Sequence, residues 1–272
     1  MIMNTITDQK HVMLRVEKKY IENQTHATLY FAHALLFKPG QFIMVWIPGV
    51  DEKPYTISFH SKEKFAITIE AKGIFSKKAI ALDKGDLVGI RGPFGNGFDI
   101  KSEGQVAVIA GGCGMAPLGP LVEKLDKNIT FIHGARAKDH ILFPDRFNVE
   151  RLICTDDGSL GHKGVVTQVL EQQISSGKQF DMVYTCGPEI MMYHVFKICE
   201  ACNIPCQVSL ERYMRCGFGV CGACGCSSRG VCKDGPVFGS EALREMKDFN
   251  TKALLKSGKE VDLSQYFSWR CK

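Results

Sequence analysis

Five of the twelve cysteines in this 272-residue chain fall between Cys216 and Cys232, and none precedes Cys113. Four residues separate Cys216 from Cys221, and two separate Cys221 from Cys224. That is the spacing of the first three thiolate ligands of a plant-type [2Fe-2S] cluster. The intervening residues, Gly217-Phe218-Gly219-Val220 and Gly222-Ala223, are mostly glycine or small. Such a backbone can wrap closely around a cluster and aim N–H groups at its sulfurs. Cys232, with seven residues between it and Cys224, is the expected fourth ligand. Cys226 competes for that role, but only Gly225 separates it from Cys224, so it would have to double back on the same small cluster. A structural zinc is the alternative chemistry. Zinc sites with four thiolates usually take two Cys-x2-Cys pairs, and only Cys221 and Cys224 supply one here. Cys199, Cys202 and Cys206 read as buried thiols, because Val195, Phe196 and Ile198 surround Cys199 and Cys206 opens a strand.

Three other stretches have the composition of nucleotide sites. Gly111-Gly112-Cys113-Gly114-Met115-Ala116-Pro117 follows an apolar run and leads into a helix, where free N–H groups and the helix dipole favour a diphosphate. Cys186-Gly187-Pro188-Glu189 follows another apolar run, so the Cys186 thiol either faces a nicotinamide ring or sits in the core. Lys53-Pro54-Tyr55-Thr56 combines a cation, a rigid turn, an aromatic face and a hydroxyl, a set suited to clamping a flavin. In that reading the cation meets phosphate, Tyr55 packs on the ribityl or ring system and Thr56 hydrogen-bonds near N5. The plain alternative is an ordinary strand start.

Positioning these residues takes two kinds of element. Residues 11–21, 27–33, 41–47, 55–60, 65–71 and 87–91 read as short strands broken at Pro39-Gly40, Pro48-Gly49 and Gly92-Pro93, which suggests an antiparallel β-barrel. From Gly104 the pattern changes. Residues 105–110, 129–133, 151–154 and 182–185 are apolar runs of buried parallel strands, with helical stretches at 117–125, 165–173 and 189–202 between them. That alternation predicts an α/β domain with a doubly wound parallel sheet. The expected division is a barrel at 1–101, the α/β domain at 102–210 and a small cluster-binding segment with a C-terminal tail at 211–272. Residues 216–235 hold too few aliphatic side chains for a core of their own.

Composition narrows the function further. Apolar residues make up 45% and charged residues 23%, and the net charge of +5 is scattered rather than gathered into a basic stripe, so nucleic-acid binding has no support. Residues 1–5 lack a basic patch followed by an apolar run, and no window approaches membrane-spanning length, so a cytoplasmic, unprocessed chain is expected. A reducing cytosol makes metal a better use of twelve cysteines than disulfides.

Taken in order, Pro39-Gly40-Gln41-Phe42, Lys53-Pro54-Tyr55-Thr56-Ile57-Ser58, Gly92-Pro93-Phe94-Gly95-Asn96-Gly97-Phe98, the Gly111 to Pro117 loop and Cys186-Gly187-Pro188 resemble the ferredoxin reductase superfamily. Thr155-Asp156-Asp157-Gly158-Ser159, Gly161-His162-Lys163-Gly164 and Cys232-Lys233-Asp234-Gly235-Pro236-Val237-Phe238 look like one branch, the electron-transfer subunits of dihydroorotate dehydrogenase B. The resemblance implies FAD, a [2Fe-2S] cluster on Cys216, Cys221, Cys224 and Cys232, and NAD(H) rather than NADP. It implies a second FAD segment at Glu70, Ala71, Lys72, Gly73, Phe75 and Ser76, and nicotinamide contacts at Gly111, Gly112, Gly114, Met115, Ala116, Pro117, Cys186, Gly187 and Pro188. The family's motif cation falls on Lys53, where arginine is usual, so the charge is kept and the bidentate fork is lost. The implied partner is an FMN-containing dihydroorotate dehydrogenase catalytic subunit, two copies of each chain, in pyrimidine (UMP) biosynthesis. No acid, base or nucleophile of this chain is needed. The competing readings are a diaphorase subunit of a hydrogenase or ferredoxin-NADP transhydrogenase complex, and a zinc-stabilised nucleotide-binding regulator.

Overall fold

The six expected strands of the first part close into a barrel in a computed structural model, which describes residues 10–101, 103–125 and 128–270. The N-terminal stretch read for a targeting signal lies outside the described residues. In chain order the strands are β1 (Val12–Ile21), β2 (His26–Phe31), β3 (Phe42–Ile47), β4 (Asp51–His60), β5 (Phe65–Glu70) and β6 (Leu87–Phe94), paired antiparallel in the order β1-β2-β5-β4-β3-β6. Closure leaves no free sheet edge, and Leu29, Ile43, Ile57, Ile67 and Ile90 fill the interior. Between β5 and β6 lies a helix the sequence pattern did not suggest, α1 (Ile74–Ala81), which buries Phe75 and Ala79 against the barrel.

Strand β4 starts four residues earlier than the sequence pattern indicated, so Lys53-Pro54-Tyr55-Thr56 lies within a strand rather than at a turn. Pro54 is tolerated because β4 pairs there with β3 alone; its pairing with β5 begins at Ile57.

The second part is a seven-stranded sheet. It holds β7 (Val106–Gly111), β8 (Ile129–Ala135), β9 (Arg151–Thr155), β10 (His162–Lys163), β11 (Met182–Cys186) and β12 (Cys206–Ser209), all parallel. On β7, Val106, Val108 and Ala110 pack with α2 (Met115–Lys124), while Ala107 and Ile109 pack with α3 (Val166–Ser175) and α4 (Glu189–Ala201). Alternate side chains therefore meet helices on both faces, the doubly wound arrangement. Residues after 210 extend this sheet, because β15 (Val237–Gly239) adds to β12 antiparallel.

The cysteine-rich stretch forms a small hairpin, β13 (Gly225–Cys226) with β14 (Arg229–Gly230), followed by α5 (Val231–Asp234). It gains a core from its neighbours: Cys224, Cys226, Val231 and Cys232 are buried in the cluster that also holds α3, α4 and Phe42 and Met44 of β3. After α6 (Ser240–Glu245), the hairpin of β16 (Lys252–Leu254) and β17 (Glu260–Asp262) carries a last helix, α7 (Leu263–Arg270), around the fully buried Tyr266. Among the described residues no helix is long and apolar enough to cross a membrane.

Candidate functional site

The sheet order β10-β9-β8-β7-β11-β12 reverses direction between β7 and β11, so the carboxyl ends of these two strands border the crevice where open α/β sheets bind ligands. Both glycine-containing loops leave from that point. They pack directly on one another: a Cβ on Gly114 would lie 2.2 Å from the Cys186 carbonyl oxygen, and one on Gly111 would lie 2.5 Å from the Met191 sulfur. Glycine at 114 is thus required by loop against loop, while Gly111 packs under the Met191 side chain of α4. Gly112, with φ of +52° and open space around it, is the one free to admit a ligand. Burial pushes the Cys186 thiol up to about 12, and its Sγ lies 3.6 Å from the Ser209 carbonyl oxygen, so it is a neutral thiol at the rim. Met115, Ala116 and Pro117 are buried in the first turn of α2, and Gly187 and Pro188 lead into α4.

The barrel forms the facing wall. Tyr55 stacks on Phe75, with ring centroids 6.1 Å apart. Lys53 pairs with Asp51 of its own strand and holds its ammonium 5.9 Å from the Phe75 centroid and 5.5 Å from that of Tyr213. Lys72 pairs with Glu70 at 2.7 Å. The Ser76 hydroxyl accepts the N–H groups of Lys72 at 2.8 Å and Gly73 at 3.0 Å, which fixes the turn from β5 into α1. The two walls meet where Glu70 and the buried His26 approach Cys113, with ligand atoms within 4.8 Å of one another. Burial pushes the Cys113 thiol up, as it does the Tyr55 hydroxyl. The sequence pattern singled out neither His26 nor Glu211. Crowding in the cleft pushes the Glu211 carboxyl up, but Arg270, Lys72 and Arg212 outweigh it and leave it at about 2.

Four cysteine thiols of the loop are neighbours: Cys221 influences Cys216, Cys232 influences Cys224, and Cys216 is near enough to act on both Cys224 and Cys232. Backbone N–H groups are already aimed at them, from Val220 to Cys216 Sγ at 3.4 Å and from Cys232 to Cys224 Sγ at 3.3 Å. Burial raises the Cys216 thiol, yet the N–H donors of Cys221, Phe218 and Val220 win and bring it down to about 6. A tetrahedral zinc would require all four sulfurs within about 3.8 Å of one another, since Zn–S bonds are about 2.3 Å. Among the described residues, His26, Glu70 and Cys113 are the only three metal-ligating atoms that gather within even 4.8 Å. Cys226 points the other way: its Sγ accepts a hydrogen bond from Arg212 Nη2 at 3.4 Å, and its own thiol is raised by burial.

Arg91 of β6, also missed from sequence, ties this loop to the barrel. Its guanidinium grips Glu52 with Nε at 2.7 Å and Nη2 at 2.6 Å, and it donates to the carbonyl oxygens of Cys216 and Arg215. It also lies 5.5 Å and 5.9 Å from the ring centroids of Phe94 and Phe218. Replacing Arg91 with methionine should weaken the loop's attachment by about 2 kcal/mol, because two carbonyls and a carboxylate lose a charged donor. The measurement is the rate at which a chelator bleaches the cluster's visible absorption. Bleaching as slow as in the unaltered chain would argue against the clamp.

Comparison with known proteins fits these sites. A family model described as the iron-sulfur cluster binding domain of dihydroorotate dehydrogenase B matches residues 211–244, and one described as an oxidoreductase NAD-binding domain matches residues 108–197. The probable dihydroorotate dehydrogenase B (NAD(+)) electron transfer subunit of Methanocaldococcus jannaschii is 45% identical over 260 residues, covering 93% of this chain and 99% of its own. The chain belongs to that family of electron-transfer subunits. A relative of the same name from Thermoplasma volcanium is 38% identical over 255 residues, with the same coverage of 93% and 99%. Among solved structures, that of an NADH-dependent reduced ferredoxin-NADP oxidoreductase, described for flavin-based electron bifurcation, superposes with a TM-score of 0.77 at 26% identity over 94% of this chain and 98% of that one. This family member is accordingly an oxidoreductase subunit with a ferredoxin reductase fold.

Proposed function

We propose that this chain carries electrons from the FMN of a dihydroorotate dehydrogenase catalytic subunit, through a [2Fe-2S] cluster and FAD, to NAD+. The observation that carries this reading is the group of neighbouring loop thiols with backbone N–H groups of Val220 and Cys232 already aimed at the Sγ atoms of Cys216 and Cys224. Cys216 with Cys221 would hold one iron, and Cys224 with Cys232 the other. Residues 1–101 would cradle FAD through Lys53, Tyr55, Thr56 and the turn from Glu70 to Ser76, residues 102–210 would seat the nicotinamide on the Gly111 and Cys186 loops, and residues 211–272 would hold the cluster. Bound FAD supplies the exchange between the single electrons of iron and the electron pair of a hydride. The protein's part is placement: Gly112 opens a path for a nucleotide, Tyr55 and Phe75 form an apolar face, and the N–H groups of Val220 and Cys232, donated to the Sγ atoms of Cys216 and Cys224, stabilise reduced sulfur. The partner would assemble as two catalytic and two electron-transfer chains in the cytoplasm.

The likeness to a reduced ferredoxin-NADP oxidoreductase favours one second reading, a diaphorase subunit of a larger redox complex. Mixing the purified chain with the catalytic subunit separates the two. Dihydroorotate-dependent reduction of NAD+ is expected, and its complete absence in a chain that holds flavin and iron would favour the second reading.

A further inference from the structure

Three cations line the cleft, and each is held by a carboxylate: Lys53 by Asp51, Lys72 by Glu70 and Arg270 by Glu211. Only Arg270 offers a planar fork. An ammonium meets a diphosphate as a point charge, whereas a guanidinium can donate two parallel N–H bonds to it. Arg270 reaches the cleft from an unexpected direction. Helix α7 rests on the β16–β17 hairpin, with Tyr266 fully buried and Trp269 edge-on to Tyr213 at 5.4 Å. Its last residue then lands on the barrel, where a Cβ at Gly73 would sit 3.3 Å from the Arg270 carbonyl oxygen. Glycine at 73 thus lets the end of α7 close against the turn that begins α1. From there the side chain crosses to Glu211, beyond the end of β12 in the nicotinamide domain. Among the described residues that bond, through Nη2, is its only hydrogen bond, and the side chain remains 30% exposed.

We propose that Arg270 is an FAD diphosphate ligand, supplying from the C-terminal helix the guanidinium fork that Lys53 and Lys72 lack. The proposal rests on the reading that FAD lies in this cleft. Glu211 holds the guanidinium ready by one nitrogen and leaves its other N–H groups for phosphate oxygens. Residues 263–270, which show no chemistry in sequence, thereby become one wall of the flavin site.

The test uses the full chain with its cluster intact and its flavin removed, titrated with FAD and, separately, with riboflavin, which lacks the diphosphate. Binding is read from quenching of flavin fluorescence, and iron content reports that the fold is kept. Arg270→Ala should weaken FAD binding by about tenfold or more, the worth of a charge-assisted bidentate contact, and leave riboflavin binding unchanged. Arg270→Lys keeps the charge and the aliphatic stem beside Tyr266, so it guards against loss of the helix; it should weaken FAD nearly as much. Equal FAD affinity in the unaltered chain and both variants overturns the proposal. So does an equal loss for riboflavin, which would make α7 a packing element only. An unaltered chain that binds no FAD at all would instead defeat the flavin reading itself.

Discussion

Replacing Cys232 with alanine should abolish a stable [2Fe-2S] cluster, while replacing Cys226 with alanine should leave the cluster in place. Both thiols are buried, at 1% exposure each, so accessibility does not separate them. Direction does. Cys232 opens onto Cys224, whose thiol is lowered to about 7, first by its contact with Cys232 and then by the Cys232 N–H. Cys226 opens onto the Arg212 guanidinium on the far side of the hairpin. Turning its side chain towards Cys224 would strip the buried Arg212 guanidinium of a partner. The chain should therefore lose visible absorption and most of its iron in Cys232→Ala, and keep both in Cys226→Ala. The reverse pattern would move the fourth ligand position to Cys226 and redraw the loop.

That contrast shows which parts of the molecule can be read along the chain. Cys216, Cys221 and Cys224 stand out in sequence because they lie on one short local loop, so their spacing is visible without any distant partner. The barrel strands are legible from their Pro-Gly breaks, and the parallel strands from apolar runs that must be buried on both faces. What stays hidden is held by partners far away in sequence. Arg91 finds the Cys216 carbonyl 125 residues on, and Arg270 finds Glu211 59 residues back. A charged residue of this kind looks the same in sequence whether it pairs in a cleft or faces water. Helix α1 stays hidden for another reason: at eight residues, with Lys77 and Lys78 inside it, it shows little more than two turns of weak pattern. Pro54 misled for a third, since a strand with one side unpaired can hold a proline that normally signals a turn.

The buried pair of Arg212 and Glu189 should have the largest effect on stability. Their side chains are 1% and 3% exposed. Arg212 donates to both carboxylate oxygens, to Cys226 Sγ and to the carbonyl oxygens of Glu211 and Lys252, while Glu189 also accepts the Asn250 N–H at 2.8 Å. The pair thus joins the start of α4, directly after Cys186-Gly187-Pro188, to the hairpin of the cluster loop and to the segment that leads to α7. Removing one charge leaves the other buried without compensation, at a cost of about 3–5 kcal/mol. Glu189→Leu and Arg212→Leu should each lower stability by that amount in denaturant unfolding of the cofactor-loaded chain. The double variant should lose clearly less than the two together, because it removes both desolvated charges and leaves apolar volume in their place. Additive losses would mean that the two residues act separately. Strong coupling would mean that the Cys186-Gly187-Pro188 loop and the cysteine-rich loop are set by one buried contact, so that neither can shift without the other.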